Sequence, residues 1–454
     1  MRVSGLIPEL RTIVGEGHVL TAADLRAGYE TDRTGRWQGE ALAVVRPADT
    51  PQVAAVVRAR ASHRAAIVTQ GGNTGLVGGA TPADPRPGIL LSTRRLDSLG
   101  DADRALMQLP CGAGVTLAAL QQAAAGAGLQ AGLDLAARDS ATVGGLAACN
   151  AGGLQTVRHG TARRRIAGLE AVLADGSVVS RMSGLRKDNA GYDLASLLIG
   201  SEGTLGVITR VLWSMVPRPS DRALALVAVD SAGDAVGVAR ELLPRLPSLE
   251  LLEIVDEESI RITLRYLSAA PPVPITAAWV LVGCASSGDA QDELAGALVE
   301  SGFDERAVVA VDATRRQSLM SIRESVTEAI AVAGIPHKLD VGVPLAALES
   351  FLDELPGVVA AAAPGARTFV YGHLGDGNLH VNLLGPAPED EAADEAVLEL
   401  AARSGGTITA EHGVGRHKPR YLSLVRSDAE IAAMRAIKHA LDPAGILNPG
   451  VILS

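Results

Sequence analysis

The sequence predicts an α+β protein with two principal parts. The first is a glycine-rich ligand-binding domain; the second carries helices on one face of a mostly antiparallel sheet. Three observations predict this. Short apolar strands between Ala66 and Thr209 run into three glycine clusters. From Ala223 to Val343, strands alternate with amphipathic helices, and only short crossovers are available. Thr368–Asn382, TFVYGHLGDGNLHVN, then reads as strand, tight turn and strand.

The chain of 454 residues exceeds one ordinary core, so two or three domains are expected. The expected division is a lead-in over 1–37, a ligand-binding domain over 38–218, a second domain over 219–405 and a C-terminal segment over 406–454. Hydrophobic residues make up 47% and aromatics only 2%, so Ala, Val and Leu must fill the cores. The 50 glycines are clustered, which suits close approach of backbone to a ligand. A net charge of −10 argues against a nucleic-acid surface. Cys111, Cys149 and Cys284 include no CxxC pair, so a reducing cytoplasm is expected. The N-terminal stretch has no apolar signal core. The longest apolar run, Ile275–Ala285, is shorter than the roughly 20 residues that span a bilayer. No transmembrane segment is expected, and peripheral membrane contact is compatible with the sequence.

In order, residues 1–37 read as helical. A helix follows, with Thr50 as N-cap and Pro51 at its first position. Strand Ala66–Thr69 runs into Gln70–Ala80, QGGNTGLVGGA, whose exposed amides can wrap a diphosphate. The spacing fits neither GxGxxG nor a Walker loop, and a glycine-rich surface turn is the plain alternative. Strand Ile89–Ser92 and helix Thr116–Ala125 lead to the second cluster, Ser140–Gly153. There Gly144, Gly145, Gly152 and Gly153 bracket Asn150. Leu169–Arg181 is a hairpin turned at Asp175-Gly176, and Arg186–Tyr192 is a polar excursion. The third cluster, Gly200–Thr209, precedes strand Val211–Val216, and Pro217 and Pro219 mark a domain boundary. Strands are then expected over Ala223–Val229, Leu249–Val255, Thr276–Gly283, Val308–Val311 and Lys338–Val343. Helices are expected over Arg315–Val332 and Asp428–Ala440, with a turn-rich tail over Leu441–Leu453.

The hairpin carries the chemistry. Residues two apart on a strand share a face, so His380 and Asn382 point the same way, and a hairpin can bring His373 opposite them. Two imidazoles and an amide then converge into a metal site that lacks an acid. TITAEHGVG supplies one: Glu411 completes the metal shell and His412 is left as a base. A polar hairpin with two surface histidines is the plain alternative. Arg323 and Thr327 lie four apart on one helix face, with Lys338 on the next strand, a set that suits a carboxylate. Its alternative is a solvated face with an Arg323-Glu324 pair. The histidines at 18, 63, 159, 337, 417 and 439 read as surface or structural.

Gln70–Ala80, Ser140–Gly153 and Gly200–Thr209 resemble the FAD-binding domain of the vanillyl-alcohol oxidase and p-cresol methylhydroxylase type. GHLGDGNLH, EHGVGRHK and LDPAGILNPG resemble the flavin-dependent D-2-hydroxy-acid dehydrogenases of that superfamily, which include D-lactate dehydrogenase, the glycolate oxidase flavoprotein subunit and D-2-hydroxyglutarate dehydrogenase. The resemblance runs in order from about Trp37 to the C-terminus. It implies that Gln70, Gly71, Gly72, Asn73, Thr74, Gly75, Gly78 and Gly79 hold the FAD pyrophosphate. It implies that Ser140, Thr142, Gly144, Gly145, Asn150 and Gly152 line the flavin, with Gly203, Gly206, Ile208 and Asn448 beside the cofactor. His373, His380 and Glu411 match the metal ligands, His412 the base, and Asn382 a substrate-side residue. Arg323, Thr327 and Lys338 match the carboxylate-binding residues of D-2-hydroxyglutarate dehydrogenases. Relatives with covalent flavin carry a His where this chain has Asn73, so non-covalent FAD is expected.

The implied reaction oxidises a D-2-hydroxy acid to the 2-oxo acid, with proton transfer to His412 and hydride transfer to flavin. Zinc suits the ligand set, with manganese and iron close behind. A second cationic cluster is surplus for D-lactate or glycolate and useful for a dicarboxylate, because a methyl group would leave buried charge unpaired. D-2-hydroxyglutarate is therefore the expected substrate and D-lactate the alternative. A zinc hydrolase, an inactive FAD-binding paralogue and a flavin oxidase of another class, such as a sugar oxidase, are the competing readings. A quinone, an electron-transferring flavoprotein, a cytochrome or oxygen would reoxidise the flavin, and a homodimer is compatible with the chain.

Overall fold

Val-, Ile- and Leu-rich runs become buried strands, and the chain divides into two compact units. One gathers residues up to Gly152, Gly160–Arg218 and the stretch from Glu411 onward; the other comprises Gly153–His159 and Pro219–Ala410. The computed structural model describes residues 5–453 except 62, 64, 84 and 85.

In the first unit, helices Leu6–Val14 and Ala23–Glu30 form the lead-in. A four-stranded sheet combines β1 (Val19–Leu20), β2 (Val44–Val45), β3 (Ala66–Gln70) and β4 (Gly88–Ser92) in the order β1-β2-β4-β3. The helix Thr50–Ala61 is capped by Asp49, not Thr50: the Gln52 amide donates to Asp49 Oδ1 at 2.8 Å. Thr50 Oγ1 instead donates to Glu170. The helix Leu117–Gly126 has Thr116 as its N-cap. A second four-stranded sheet has the order β5-β9-β7-β8; its members are β5 (Gln108–Gly112), β7 (Ile166–Val172), β8 (Val178–Arg181) and β9 (Val207–Ser214). β6 (Leu129–Gln130) pairs with β10 (Val216–Pro217). β9 begins inside the third glycine cluster, four residues before the expected strand, because Val207 and Ile208 pair with Val172 and Ala171. The turn between β7 and β8 falls at Asp175-Gly176, where Gly176 has φ 81°.

The C-terminal stretch completes this unit. Ser427 and Glu430 form a capping box on the helix Asp428–Leu441. Residues 446–448 then run parallel to β3: Ile67 N donates to Ile446 O and Asn448 N to Ile67 O, both at 2.8 Å. Lys438 Nζ secures the tail through Thr204 O, Leu447 O and Asp442.

The second unit is built on one seven-stranded sheet whose pairs are all antiparallel. Its strands are β11 (Asp221–Val229), β12 (Leu249–Asp256), β13 (Ala278–Ser286), β14 (Ala307–Val309), β15 (His337–Gly342), β16 (Arg367–His373) and β17 (Asn378–Leu384), in the order β14-β11-β13-β12-β16-β17-β15. Helices cover both faces rather than the one expected. On one face Leu319, Ile322, Val326 and Ile330 of the helix Ala313–Ala333 pack with Leu226, Leu281, Val255 and Tyr371. Strand residues of opposite parity face other helices: His337 meets Asp394 on the helix Ala392–Arg403. β11 shows the reason, since Ala223–Val229 is apolar at every position and buried throughout.

Asp256 ends β12 and caps the helix Glu257–Leu267, accepting from the Ser259 amide at 2.9 Å. Burial pushes its carboxyl up to about 6, against the opposing effect of the Ser259 hydrogen bonds. The folded state therefore binds this proton more tightly than the unfolded chain. The stabilisation is present below about pH 4 and is lost as pH rises through 6. Asp256→Asn keeps a competent cap and is expected to flatten that loss, which Tm measured against wild type from pH 4 to 8 would reveal. No helix among the described residues is long and apolar enough to cross a membrane.

Candidate active site

Sheet register sets one half of the site. Across the last three strands, Phe369, Asn382 and Lys338 lie in one row, and Tyr371, His380 and Asp340 in the next. His373, Asn378 and Gly342 form the third row. Directly opposed residues share a face, and each row is two residues from the last, so all nine face one way. His373 thus lies opposite Asn378 and diagonal to His380, not opposite His380 itself. The two imidazoles sit edge to face with centroids 5.5 Å apart. The turn between them spans 374–377, with Gly377 at φ 75° and too close to Val343 O, 2.1 Å from an added Cβ, for any side chain.

Two buried carboxylates lie behind these histidines. Glu253, on β12 and opposite His373, is fully buried. Its Oε1 accepts from His373 Nδ1 at 2.6 Å, and its Oε2 accepts from Arg323 Nε at 2.7 Å. Asp340, also fully buried, accepts from Asn378 Nδ2 at 2.6 Å. Its other oxygen accepts from the Thr409 hydroxyl at 3.2 Å and the Ala410 amide at 3.0 Å. His380 Nδ1 lies 3.7 Å from Asp340 Oδ1, beyond a hydrogen bond.

Arg323 and Thr327 share a helix face, as their spacing predicts, and both reach Tyr371. The guanidinium carbon is 5.0 Å from the ring centroid, and Thr327 Oγ1 is 2.8 Å from the phenol oxygen. Arg323 is not a solvated surface residue: it is 8% exposed. Nor is it the unpaired charge that the substrate argument assumed, because Glu253 already neutralises it. What Arg323 retains for a ligand is the NH1/NH2 edge of its guanidinium, since Glu253 takes Nε.

The first unit brings its glycine clusters together. A Cβ on Gly72 would stand 1.9 Å from Ser140 O, and one on Gly71 2.2 Å from Thr142 Oγ1. These two glycines let the 70–80 loop lie on the 140–142 backbone. Gly144 is pressed on Ala113 in the same way, whereas Gly75 faces open space. Gln70 closes the loop by donating from Nε2 to Tyr29 O and Ala80 O, both at 2.9 Å. Among the described residues, the amides of 72–79 donate no hydrogen bond. By contrast, the first amides of the helix Val143–Cys149 are taken by Val115 O, Ala113 O and Thr142. Asn73, at φ 57°, donates to Thr31 O. Asn150 ends the helix at φ 51° and accepts from the Arg163 amide. Ile208 is buried on β9.

Glu202 ties these parts to the EHGVG loop. Its carboxylate accepts from the amides of Val414 at 2.7 Å and Gly415 at 2.8 Å. Burial raises its pKa, against those two bonds and the Lys418 charge. Asn448 Nδ2 donates to Glu202 O and Gly79 O, while its buried Oδ1 has no partner among the described residues. Glu411 and His412 begin this loop, directly after Ala410.

Glu253, Asp340, Tyr371, Asn378 and Glu202 were missed from the sequence. For Glu253 and Asp340 a signal exists: each is an acid with an apolar residue on either side, Leu252 and Ile254 in LELLEIVD, Leu339 and Val341 in KLDVGV. A buried carboxylate needs partners.

Comparison with known proteins follows the same division. The FAD binding domain family matches residues 41–181, and the family described as FAD linked oxidases, C-terminal domain, matches 218–452. The mitochondrial D-2-hydroxyglutarate dehydrogenase of Bos taurus is 36% identical over 443 residues, covering 95% of this chain and 80% of that one. The D-2-hydroxyglutarate dehydrogenase of Xanthomonas citri pv. viticola is 36% identical over 434 residues, covering 93% and 91%. The structure of p-cresol methylhydroxylase with substrate bound superposes with a TM-score of 0.77 at 16% identity, covering 99% of this chain and 96% of that one. At that identity the likeness is one of fold: α+β, with an FAD-binding domain of the p-cresol methylhydroxylase type.

Proposed function

The chain belongs to the FAD-linked oxidase family, with the D-2-hydroxyglutarate dehydrogenases among its relatives, and is an FAD-dependent 2-hydroxy-acid dehydrogenase; from this premise we propose that it oxidises D-2-hydroxyglutarate to 2-oxoglutarate. One observation carries the choice of substrate. Arg323, Thr327 and Lys338 stand with His373 and His380 around one sheet face, and the NH1/NH2 edge of Arg323 is a fork made for a carboxylate. A 2-hydroxy acid with a second carboxylate matches both ends of that face; D-lactate matches one.

FAD when bound supplies the hydride acceptor. The amides of 72–79, which donate to no described residue, suit the nest that its diphosphate requires, and Asn448 Oδ1, without a partner among the described residues, offers the cofactor an acceptor. Residues 38–218 are proposed as the flavin domain and 219–405 as the substrate domain, with 406–454 carrying Glu411 and His412. Asn73, tied to Thr31, supports non-covalent attachment. His373 and His380 offer imidazole nitrogens on one face, and Glu411 is the proposed third ligand. Such a set fits zinc, manganese or iron, and a bound metal would lower the pKa of the substrate hydroxyl. Asp340 holds the Ala410 amide, so the chain leaves a fixed point immediately before Glu411 and His412. His412 is the proposed base that takes the hydroxyl proton. Asn382, buried in the row next to His380, is proposed to orient the substrate. The three free thiols suit a cytoplasmic setting, and a quinone, cytochrome, electron-transferring flavoprotein or oxygen would take the electrons.

An anaerobic absorbance titration tests this reading. D-2-hydroxyglutarate is expected to bleach the oxidised flavin spectrum, and a chelator to prevent it. Bleaching by D-lactate alone would overturn the dicarboxylate assignment. Bleaching that ignores the chelator would remove the metal.

A further inference from the structure

We propose that Glu253 is a positioning residue that orients the metal end and the carboxylate end of the substrate site together, so that metal affinity and dicarboxylate selectivity depend on one buried carboxylate. The proposal rests on the functional reading above. Its ground is how the carboxylate is divided. A buried Arg–Glu pair ordinarily gains most by presenting both oxygens to one guanidinium. Here each oxygen serves a different partner: Oε1 accepts from His373 Nδ1 at 2.6 Å, and Oε2 accepts from Arg323 Nε at 2.7 Å. Glu253 has no exposed surface, and His373 and Arg323 are 6% and 8% exposed.

Two consequences follow from the donors. A hydrogen on His373 Nδ1 leaves the Nε2 lone pair as the ligating atom, the arrangement by which a carboxylate behind an imidazole orients a metal ligand. A bond at Arg323 Nε fixes the guanidinium plane and turns its NH1/NH2 edge away from Glu253. Tyr371 holds that plane from the side, with its ring 5.0 Å from the guanidinium carbon and its hydroxyl on Thr327. Glutamine at 253 has nearly the same shape but one acceptor. Its amide would face a second N–H donor, so either His373 or Arg323 must give up its orientation.

The experiment compares wild type with Glu253→Gln, Arg323→Ala, Arg323→Met and the double variant Glu253→Gln/Arg323→Met. It measures zinc affinity by competition with a chromophoric chelator, which needs no turnover. It also measures the ratio of kcat/KM for D-2-hydroxyglutarate over D-lactate. Glu253→Gln is expected to weaken zinc binding about 10–100-fold and to lower the substrate ratio at least about tenfold, the span of a single lost charge-assisted hydrogen bond. Arg323→Ala is expected to lower the ratio while zinc affinity stays at the wild-type value. Wild-type zinc affinity or a wild-type ratio in Glu253→Gln overturns the proposal. If that variant does not fold, the double variant removes both charges together, and it is expected to bind zinc more weakly than Arg323→Met alone. Equal zinc affinity in the two overturns the proposal. Failure of the underlying reading shows earlier and elsewhere, in a wild-type enzyme that needs no metal or prefers D-lactate.

Discussion

Replacing His412 with alanine is expected to slow flavin reduction by D-2-hydroxyglutarate about 10²–10⁴-fold, the span of a lost general base, while FAD stays bound. The expectation follows from how the loop is held. Glu202 anchors it through the Val414 and Gly415 amides, and Gly413 at φ 84° lies against the same carboxylate. Both ties run through backbone amides that the substitution keeps, so it removes the proposed base and leaves the hold of Glu202 on the loop in place. Stopped-flow mixing without oxygen separates the effect from reoxidation. Reduction at the wild-type rate would remove His412 from the mechanism.

Arg323→Ala should act on both stability and selectivity. Truncation leaves Glu253 buried with one oxygen deprived of its cation, a loss that costs about 3–5 kcal/mol in buried pairs. It also removes the fork proposed for the distal carboxylate. KM for D-2-hydroxyglutarate should rise more than the saturated rate falls, and selectivity over D-lactate should drop roughly a hundredfold, as for truncation of a buried charge pair. Arg323→Lys separates the two effects. Its ammonium can neutralise Glu253 and recover part of the stability, but it cannot bond Glu253 and present a planar fork at once. Denaturant midpoints and steady-state kinetics on both substrates check each arm. Unchanged selectivity in both variants would detach Arg323 from the substrate.

Much of this site is legible in the sequence because its determinants are local. His373, His380 and Asn382 belong to one hairpin whose turn residues and period-two alternation set which side chains share a face. Arg323 and Thr327 are related by helical spacing alone. Glu253 is not legible in this way. Its partner His373 is 120 residues away, joined by the pairing of β12 with β16, and spacing along a chain does not reveal which strands become neighbours. Asp340 and its tie to Ala410 are hidden for the same reason, 70 residues apart. The helices on both faces of the second sheet had a local signal in the unbroken apolar run of β11, which differs from the alternation of a sheet with one wet face. The Asp49 cap was obscured by Thr50, another capping residue one position on, whose hydroxyl is drawn to Glu170.

The parallel run of residues 446–448 beside β3 bears on the order in which a ribosome delivers this protein. The second sheet unit lies almost wholly within one continuous stretch, Pro219–Ala410, and can gather its core while the rest is still being translated. The flavin unit cannot. Ile67 waits for Ile446 and Asn448, and the peptide oxygens of Gly79 and Glu202 wait for the Asn448 side chain, contacts spanning 246 to 381 residues. Until those last residues emerge, β3 presents an open edge beside an unsecured loop. A nascent chain stalled late in synthesis would therefore carry a finished second unit and an unfinished first one, and that exposed edge is where aggregation would begin.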